Sequence, residues 1–556
     1  MNKIIIPALG TLLAEKNLLS ENELLRACRE AENTKKSFVE ILTENGFAAE
    51  DKVAHELCDA YKFPFVSFVE TRPRCEVLKL LPENTARHFC VIPLEVTQNG
   101  KLCVAMADPL AKGAADEIAL HTGRDTEIKV ALVSDIKKAI NRYYPISSAV
   151  AAALTETEKE KTKITLRENT ENSGSPVARL ADMIIEQAAR ENASDIHIEP
   201  DEDKTRIRFR VDGRLWSVTD IPCELHQPLT ARIKILSGMD IAEKRRPQDG
   251  RILIKKDNMH IDIRVSTMPS VYGEKTVLRL LDRCGEARGI DALGFNNKQQ
   301  SALLAAINAS NGIVLVTGPT GSGKSTTLYS LLNILNEPSK NIITLEDPVE
   351  FTINGLTQVQ VNEKIGLTFS HSLRSVLRQD PDIIMVGEIR DAETAQLAVR
   401  AALTGHLVLS TLHTNDAPTA VSRLVDMGVP RFLIASSLRA VVAQRLVRTL
   451  CPKCKRPVSL PPSLAKERGF PKDSAIFEPV GCPECRFTGY KGRTVIAEIM
   501  PVTSEMRTMI SEAAEEDEIR RCACACGMTM LYDDAKIKVC EGITGIDEML
   551  FTTMAE

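Results

Sequence analysis

The spacing of apolar residues changes along the chain and divides it into regions of different secondary structure. Near the N-terminus, residues 21–31 and 50–61 carry apolar positions at helical spacing, which predicts helices. Farther along, residues 177–190 have the pattern of an amphipathic helix, and residues 206–211 alternate apolar and polar positions as a half-buried strand does. From Phe295 onward, short apolar runs alternate with helical stretches, which predicts buried parallel strands in an α/β sheet.

A weak internal repeat and a polar stretch suggest where the domains end. Residues 10–19 align with residues 39–48, and each unit predicts a helical hairpin, so that two similar hairpins pack on each other. An α/β segment follows at 91–144. Residues 147–176 are rich in Glu, Lys, Thr, Ser and Asn, which is typical of a linker. We therefore predict an N-terminal domain at 1–146, a linker at 147–176, a second α+β domain at 177–291 and a C-terminal domain at 292–556.

The composition fits a chain with sizeable cores and argues against several classes of protein. At roughly 150 residues per domain, 556 residues correspond to about three to four domains. Hydrophobic residues at 44% and charged residues at 26% exclude wholesale disorder. A net charge of −5 and only 4% aromatic residues argue against a nucleic-acid-binding surface. The 15 cysteines do not suit a small disulfide scaffold and favour a reducing compartment.

Two stretches look superficially like export or membrane signals. Residues 1–14 begin like a signal peptide, but Pro7 interrupts the apolar run and no small-residue cleavage site follows. Residues 299–323 lack charge, yet Pro319 and several glycines and asparagines interrupt them. We expect no transmembrane segment, so any association with a membrane would go through a partner.

A phosphate-binding motif lies between an apolar run and a predicted helix. Residues 318–325 match G-x-x-x-x-G-K-[ST] without a mismatch, after the run at 313–316 and before a helix at 325–336. The glycines let backbone N–H groups wrap a phosphate, and the helix N-terminus adds partial positive charge. Lys324 is expected to reach the β and γ phosphates, and the Ser325 hydroxyl to bind Mg²⁺. The expected nucleotide-binding residues are Gly318, Pro319, Thr320, Gly321, Ser322, Gly323, Lys324, Ser325 and Thr326.

Three further apolar runs lead into polar candidates. They are followed by Glu346, by Glu388 and by His413. Ligands of open α/β sheets sit at the carboxyl ends of the strands, so these side chains should converge beside the phosphate loop. A lone Glu after a strand is usually a solvated loop residue. Two of them beside an intact phosphate loop favour nucleotide hydrolysis, with one carboxylate near Mg²⁺ and one near the attacking water.

Five motifs occur in a recognisable order. They are the segment 193–200, a Walker A motif at 318–325, an aspartate box at 343–350, a Walker B motif at 382–391 and a histidine box at 404–413. Together they resemble the secretion ATPase superfamily, and the resemblance extends over nearly the whole chain. It implies a P-loop NTPase core of RecA-like fold, ATP hydrolysis and a homo-hexamer. It also implies a cytoplasmic protein that is peripheral at the inner membrane, where its partner is the cytoplasmic domain of an assembly platform protein.

The resemblance assigns roles to individual positions. Glu346 would be the base or the water-positioning residue, and Glu388 would act on Mg²⁺ through water. His413 would sense the γ-phosphate or the neighbouring subunit. From the pattern alone, Arg264 and Arg279 are solvated arginines on a strand face. The resemblance implies that they reach the nucleotide from the second N-terminal domain and stabilise charge on the transferred phosphoryl group.

Two Cys-x-x-Cys pairs, Cys451 with Cys454 and Cys482 with Cys485, suggest a metal site in a module at 451–490. Four thiolates on two such turns can bind Zn²⁺ tetrahedrally in a structural site, although the separation is longer than the commonest zinc-ribbon spacing. A dithiol redox site and free cysteines are the alternatives. The resemblance supports zinc, because secretion and pilus assembly ATPases carry this insertion.

A third group of cysteines, Cys522, Cys524 and Cys526, also looks like a metal motif. On a helix, however, only Cys522 and Cys526 share a face. We therefore expect all three to serve as apolar residues in helix packing.

The N-terminal repeat resembles a domain that binds cyclic di-GMP in some relatives of the superfamily. The match is poor, because Ala8 stands where Arg is usual and Asn17 stands where Gly is usual. We expect this domain to dock a protein partner and not to bind cyclic di-GMP.

The leading functional interpretation is an ATP-hydrolysing motor for type II protein secretion, which residues 423–430 and 280–282 favour. A motor for type IV pilus assembly is the alternative. A DNA-transfer ATPase is disfavoured by the net charge and the few aromatic residues. A binding scaffold without hydrolysis is disfavoured because Lys324, Glu346 and Glu388 are all present.

Overall fold

The computed structural model divides the chain into two compact units. One comprises Met1–Ile254 and Asp262–Leu280, and the other comprises Lys255–Ile261 and Leu281–Glu556. The structure describes residues 8–16, 18–34, 38–66, 73, 75–78, 80–97, 99–111, 113–141, 143–144, 149–150, 153, 175–256, 259–282, 289–460, 465, 467–471, 475–485 and 488–554. Most of the predicted linker at 147–176 lies outside these residues, as does Asn17.

The first unit begins with helices and a small sheet. Among the described residues, six helices precede the sheet, Ala8–Glu15, Glu21–Thr34, Phe38–Glu44, Glu50–Tyr61, Cys75–Leu78 and Glu83–His88. The helix Ala114–Thr122 lies between its second and third strands, and residues 133–141 are helical after it. Strands β1 (Val91–Val96), β2 (Leu102–Met106) and β3 (Thr126–Val130) form a sheet in the order β1-β2-β3, with β1 antiparallel and β3 parallel to β2. Leu13, Leu42 and Leu57 are fully buried in the same core as this sheet, so the predicted helical hairpins share one core.

The rest of the first unit is a larger sheet with two helices. Strands β4 (Asp195–Pro200), β5 (Lys204–Val211), β6 (Arg214–Pro222), β7 (Gln248–Lys256), β8 (Met259–Ser270) and β9 (Gly273–Asp282) form it in the order β6-β5-β4-β9-β8-β7. The helices are Pro176–Arg190 and His226–Ser237. Asp212 and Gly213 both have positive φ, 48° and 84°, as a two-residue hairpin turn between β5 and β6 requires.

The second unit contains a seven-stranded sheet with helices between its strands. Its strands are β10 (Gly312–Thr317), β11 (Ile342–Glu346), β12 (Thr357–Gln360), β13 (Ile383–Val386), β14 (Leu407–Leu412), β15 (Leu438–Leu450) and β18 (Tyr490–Pro501), while β16 (Arg456–Ser459) and β17 (Ala475–Glu478) pair separately. The order is β12-β11-β13-β14-β10-β15-β18, and every pairing is parallel except that of β15 with β18. The helices are Asn297–Ile307, Lys324–Leu335, Phe369–Val376, Ala392–Leu403, Thr419–Asp426, Arg431–Ser437, Ser504–Ser511, Glu516–Ala525, Leu531–Cys540 and Ile546–Thr553.

Strand β10 shows why the apolar runs of this region are continuous. Ile313 and Leu315 belong to a core on one face of the sheet, which includes alanines of the helix Ala392–Leu403. Val314 and Val316 belong to a core on the other face, with leucines of the helix Lys324–Leu335. Because helices cover both faces, every residue of β10 is buried. The predicted fold class, a multidomain α/β protein with α+β regions before the main sheet, is confirmed at this level.

The prediction for the third cysteine group was wrong in part. Cys522 packs half-buried against the core, but Cys524 and Cys526 are exposed. The helix Glu516–Ala525 buries Ile519 and Ala523 instead, and it ends directly before Cys526, which leaves that side chain at the surface.

None of the helices in the described part of the chain combines the length and apolar character needed to cross a bilayer.

Candidate active site

The predicted phosphate loop connects β10 to the helix Lys324–Leu335. Gly318, Gly321 and Gly323 have φ values of 138°, 82° and 88°, which favour glycine. A Cβ atom on Gly318 would lie 2.4 Å from the backbone oxygen of Gln444 and 2.7 Å from Ser322 Oγ, so the loop tolerates no side chain there. Pro319, Thr320, Gly321, Ser325 and Thr326 are exposed. The loop and the first turn of its helix therefore offer backbone N–H groups and the hydroxyls of Thr320, Ser325 and Thr326 to a ligand from solvent.

Gln444 on β15 fixes the base of this loop, and sequence reasoning did not find it. Its side chain is fully buried. Its Nε2 donates to the backbone oxygen of Ser322 at 2.8 Å, and its Oε1 accepts from Thr327 Oγ1 at 2.9 Å. One amide thus connects the loop, the helix that follows it and the neighbouring strand. No clear sequence signal marked it, because β15 also contains Arg439, Arg445 and Arg448.

The Lys324 ammonium lies over the loop. It donates to the backbone oxygens of Gly318 at 2.8 Å and Pro319 at 3.0 Å. Burial lowers its pKa, and the nearby Glu388 carboxylate acts in the opposite direction. Burial removes part of the hydration of the Lys324 ammonium, and an anionic ligand bound to the loop would compensate this unfavourable desolvation.

Glu346 ends β11 and is buried, with 4% of its surface exposed. Its carboxylate accepts from Thr344 Oγ1 at 2.5 Å, from Gln358 Nε2 at 3.0 Å and from the hydroxyl of Tyr329. Burial and the Glu346 carboxylate raise the pKa of Tyr329, so that this hydroxyl remains a donor. Tyr329 belongs to the helix that follows the phosphate loop, which makes it a further residue that sequence reasoning missed. Three donors therefore orient the Glu346 carboxylate.

Glu388 and His413 meet beside the phosphate loop. Glu388 follows β13, His413 follows β14, and His413 Nε2 lies 3.7 Å from Glu388 Oε2. Arg390 forms an ion pair with Glu388 on its other side. Hydrogen bonds from Ser410 Oγ to the Val386 oxygen (2.7 Å) and from Thr411 Oγ1 to the Gly387 oxygen (2.8 Å) connect the two strand ends. The structure thus brings Lys324, Glu388 and His413 together, as their positions at parallel strand ends predict.

The loop after His413 is fastened from outside the motif. Asp416 accepts from the backbone N–H of Thr419 at 2.9 Å and from Arg520 Nη2 at 2.8 Å. Glu498 on β18 accepts from the backbone N–H of Ala417 at 2.6 Å. Burial raises the pKa of Glu498. These residues from the C-terminal part of the chain set the path of the loop that carries His413.

The two predicted arginines lie on the six-stranded sheet of the first unit. Arg264 is half-buried on β8, and Arg279 is exposed on β9. Arg279 Nε donates to Asp195 Oδ1 at 2.9 Å, which orients the guanidinium along the sheet. Their predicted approach to the nucleotide stays a prediction.

The four cysteines of the two pairs form one cluster. Their sulfur atoms all lie within 4.8 Å of one another, with 3.7 Å between Cys451 and Cys482 and between Cys454 and Cys485. Backbone N–H groups of Cys482 and Gly489 donate to the Cys485 sulfur at 3.1 and 3.2 Å. Four convergent sulfurs, one of them accepting two backbone N–H groups, fit the ligand set of a tetrahedral thiolate site.

Comparisons with known proteins agree with these features. The family model described as Type II/IV secretion system protein matches residues 170–551, and the model of the MshEN domain matches residues 61–150. The type IV pilus assembly ATPase PilB of Myxococcus xanthus (strain DK1622) is 41% identical over 559 residues, 98% of each chain. The type II secretion system protein E of Pectobacterium carotovorum subsp. carotovorum is 41% identical over 495 residues, 86% of this chain and 98% of the relative. Among solved structures, the ATPase DotB of Legionella pneumophila matches with a TM-score of 0.51 and 25% identity, over 66% of this chain and 93% of DotB.

Proposed function

The chain belongs to the family of type II/IV secretion system proteins and is an ATPase, and on this premise we propose that it is a motor for filament assembly. ATP hydrolysis would drive the assembly of pilin or pseudopilin subunits. The placement of Lys324, Glu388 and His413 around an intact phosphate loop supports the hydrolysis in this proposal. The similarity to a pilus assembly ATPase and to a type II secretion protein supports the filament assembly. The family implies ATP as substrate and Mg²⁺ as its companion ion.

Each residue of the site has a proposed task. Backbone N–H groups of residues 318–326 bind the nucleotide phosphates, and Lys324 exchanges its contacts with the loop oxygens for contacts with the β and γ phosphates. Ser325 and Glu388 would hold Mg²⁺. When bound, this ion would neutralise negative charge on the phosphates. Glu346 orients or deprotonates the attacking water, since its carboxylate has about four acceptor positions and the three donors occupy three of them. His413 reports the state of the γ-phosphate through Glu388.

The first test is steady-state hydrolysis of ATP by the full-length protein. Lys324→Ala is expected to lower kcat/KM by about 100-fold or more, because the phosphates lose their main cation. Lys364→Ala changes an exposed lysine of the same unit and is expected to stay within about twofold. Unchanged hydrolysis in Lys324→Ala would refute the assigned site. Stimulation by single-stranded DNA would favour a DNA-transfer ATPase instead.

The proposal includes a homo-hexamer at the cytoplasmic face of the inner membrane. The partner would be the cytoplasmic domain of a membrane-embedded platform protein, docked by the N-terminal domain. We retain the prediction that this domain does not bind cyclic di-GMP. However, residues 61–150 match the MshEN domain, which relates to cyclic di-GMP binding, and this match weighs against the prediction. Equilibrium dialysis of the full-length protein with labelled cyclic di-GMP tests it, and saturable binding would overturn it.

The cysteine cluster is proposed as a structural zinc site. Cys451, Cys454, Cys482 and Cys485 would each supply a thiolate, which leaves no open position for catalysis. Metal analysis of protein purified without chelator is expected to find zinc. Its absence would remove this part of the proposal.

The two branches of the family each have one supporting observation. The segments 423–430 and 280–282 resemble the type II secretion branch, and this resemblance is the argument for type II secretion. The pilus assembly relative aligns over 98% of the chain and the type II relative over 86%, which favours pilus assembly. Deleting the gene in its own organism distinguishes them. Loss of surface pili with normal secretion indicates the pilus branch, and loss of secreted proteins with normal pili indicates the secretion branch. Complementation with the Lys324→Ala variant is expected to fail in either case.

A further inference from the structure

The C-terminal helices contain a second cluster of metal-ligating side chains, outside the cysteine cluster described above. It comprises Glu505, Cys522 and Cys526, and we call it the Glu505 cluster. The carboxylate oxygen and the two sulfurs lie within 4.8 Å of one another. Glu505 stands in the first turn of the helix Ser504–Ser511, Cys522 in the last turn of the helix Glu516–Ala525, and Cys526 directly after it.

The cluster arises because the two helices pack against the same core. Met506 and Ile510 of one helix and Ile519 and Ala523 of the other are buried together. This packing places Glu505 opposite the face on which Cys522 and Cys526 lie, four residues apart. Cys524 is not part of this cluster, and the ionisable groups that act on it are Glu498, Arg520 and Asp533.

The local charge favours a cation. Within the described part of the chain, Glu505 forms no ion pair, and the charged or ionisable groups that act on Cys522 are Glu505 and Cys526. Both cysteines also lie at the C-terminal end of a helix, where the helix dipole carries partial negative charge. Among the described residues, the Cys522 thiol therefore meets a carboxylate and a second thiol, and no cation acts on it.

We propose that the Glu505 cluster is a metal site for a thiophilic divalent cation, and that Zn²⁺ is the ion it binds. Cysteine thiolates and carboxylate oxygens are both zinc ligands, and a water would complete the tetrahedron around two thiolates and one carboxylate. Two thiolates on one zinc lie about 3.8 Å apart at Zn–S distances of about 2.3 Å, so small side-chain rotations close the cluster around the ion. Glu505 and Cys526 are exposed, so a bound ion can exchange between the site and the solvent. Binding would cross-link the two helices.

Zinc stoichiometry of the full-length protein tests this proposal. The protein is loaded with zinc alone, desalted, and analysed by inductively coupled plasma mass spectrometry before and after a competing chelator. The double variant Cys522→Ser/Cys526→Ser is expected to bind one zinc per chain fewer than the wild type. Glu505→Gln is expected to lose the same zinc at a lower chelator concentration. Cys524→Ser is the matched control and is expected to retain the wild-type stoichiometry.

The difference of one zinc does not depend on how many metals the other cysteines hold. Equal stoichiometry in the wild type and the double variant would overturn the proposal, as would an equal loss of zinc in Cys524→Ser. Cadmium-113 NMR of the cadmium-loaded protein gives an independent readout. We expect one resonance of mixed sulfur and oxygen coordination that is absent from the double variant. Its presence in that variant would also overturn the proposal. Thermal unfolding of each variant checks that the fold is retained.

Discussion

Glu346 and Glu388 follow parallel strands of one sheet but lie in different surroundings. Glu346 is enclosed by Tyr329, Thr344 and Gln358, all of which donate to its carboxylate. Glu388 is less enclosed and lies between cationic or ionisable neighbours, Arg390 and His413. A carboxylate with three fixed donors keeps one orientation, whereas a carboxylate between mobile side chains can exchange partners. The two residues therefore suit different tasks, although the sequence pattern treats them alike.

Glu346→Gln tests the task of the enclosed carboxylate. We expect hydrolysis about 100- to 10,000-fold slower with ATP binding retained, because the amide cannot accept a proton. Single-turnover hydrolysis and equilibrium binding of ATP separate the two effects. Glu337→Gln, at a surface ion pair with Lys340, is the control and should hydrolyse ATP normally. Near-normal turnover in Glu346→Gln would exclude the assigned role.

Gln444→Leu tests the support of the phosphate loop. The leucine removes both hydrogen bonds of the buried amide and leaves the Ser322 oxygen and the Thr327 hydroxyl unpaired. We expect a loss of about 1–3 kcal/mol in the free energy of unfolding and weaker ATP binding. Urea unfolding and ATP titration measure the two effects. Gln444→Glu should restore the bond from Thr327 but not the bond to Ser322. A variant as stable as the wild type would show that the amide is not needed.

At the scale of elements, the apolar pattern predicted most of the second unit. Strand β10 and the helix after it lie within one residue of their predicted bounds. This agreement is expected, because the spacing of apolar residues within a short segment is enough to predict a strand or a helix. The contacts that complete the site were not predictable in this way. Gln444 meets Thr327 across 117 positions of the chain, and Arg520 meets Asp416 across 104. Such pairs depend on the order of strands in the sheet, which no local pattern encodes.

Asp135 gives a prediction about two packed elements, the helical residues 133–141 and the helix Glu50–Tyr61. Burial, and secondly Glu50, raise the pKa of Asp135 from 3.8 to about 6. The folded state therefore binds this proton more tightly than the unfolded state. The resulting contribution of Asp135 to the free energy of unfolding is complete below pH 3.8 and is lost as the pH rises through about 6. At pH 7.5 the buried carboxylate is charged and destabilises the fold.

We expect Asp135→Asn to stabilise the N-terminal region by roughly 1–3 kcal/mol at pH 7.5 and by much less at pH 4. Pulse proteolysis of the full-length protein in urea, followed with an antibody to an N-terminal tag, measures this. Asp125→Asn removes an exposed carboxylate from the same region and should change little. A gain that is equal at both pH values would show that ionisation of Asp135 is not its cause.

At the scale of the whole molecule, the phosphate loop belongs to one unit and the predicted arginines to the other. If hydrolysis requires both the phosphate loop and these arginines, neither unit alone can hydrolyse ATP at the full rate. The acidic net charge of −5 fits a motor that acts on proteins better than one that acts on nucleic acid.

Arg264→Gln and Arg279→Gln test this requirement. If each arginine donates to the transferred phosphoryl group as predicted, its loss is expected to lower kcat by about 10- to 1,000-fold. Arg206→Gln removes an arginine of the same sheet that pairs with Asp201, and it should leave kcat unchanged. Steady-state ATPase assays of the full-length variants provide the measurement. Wild-type rates in both variants would restrict the active site to the second unit.

The loop after His413 depends on hydrogen bonds from residues much later in the chain. Arg520 and Glu498 hold residues 416 and 417, and Glu548 near the C-terminus pairs with the buried Arg448 on β15. Every recognised nucleotide-binding motif lies before residue 414, so a truncated gene product would still carry all of them. Such a product would nevertheless lose the residues that anchor the loop after His413. An intact set of motifs in a shortened homologue is therefore no sign of an active enzyme.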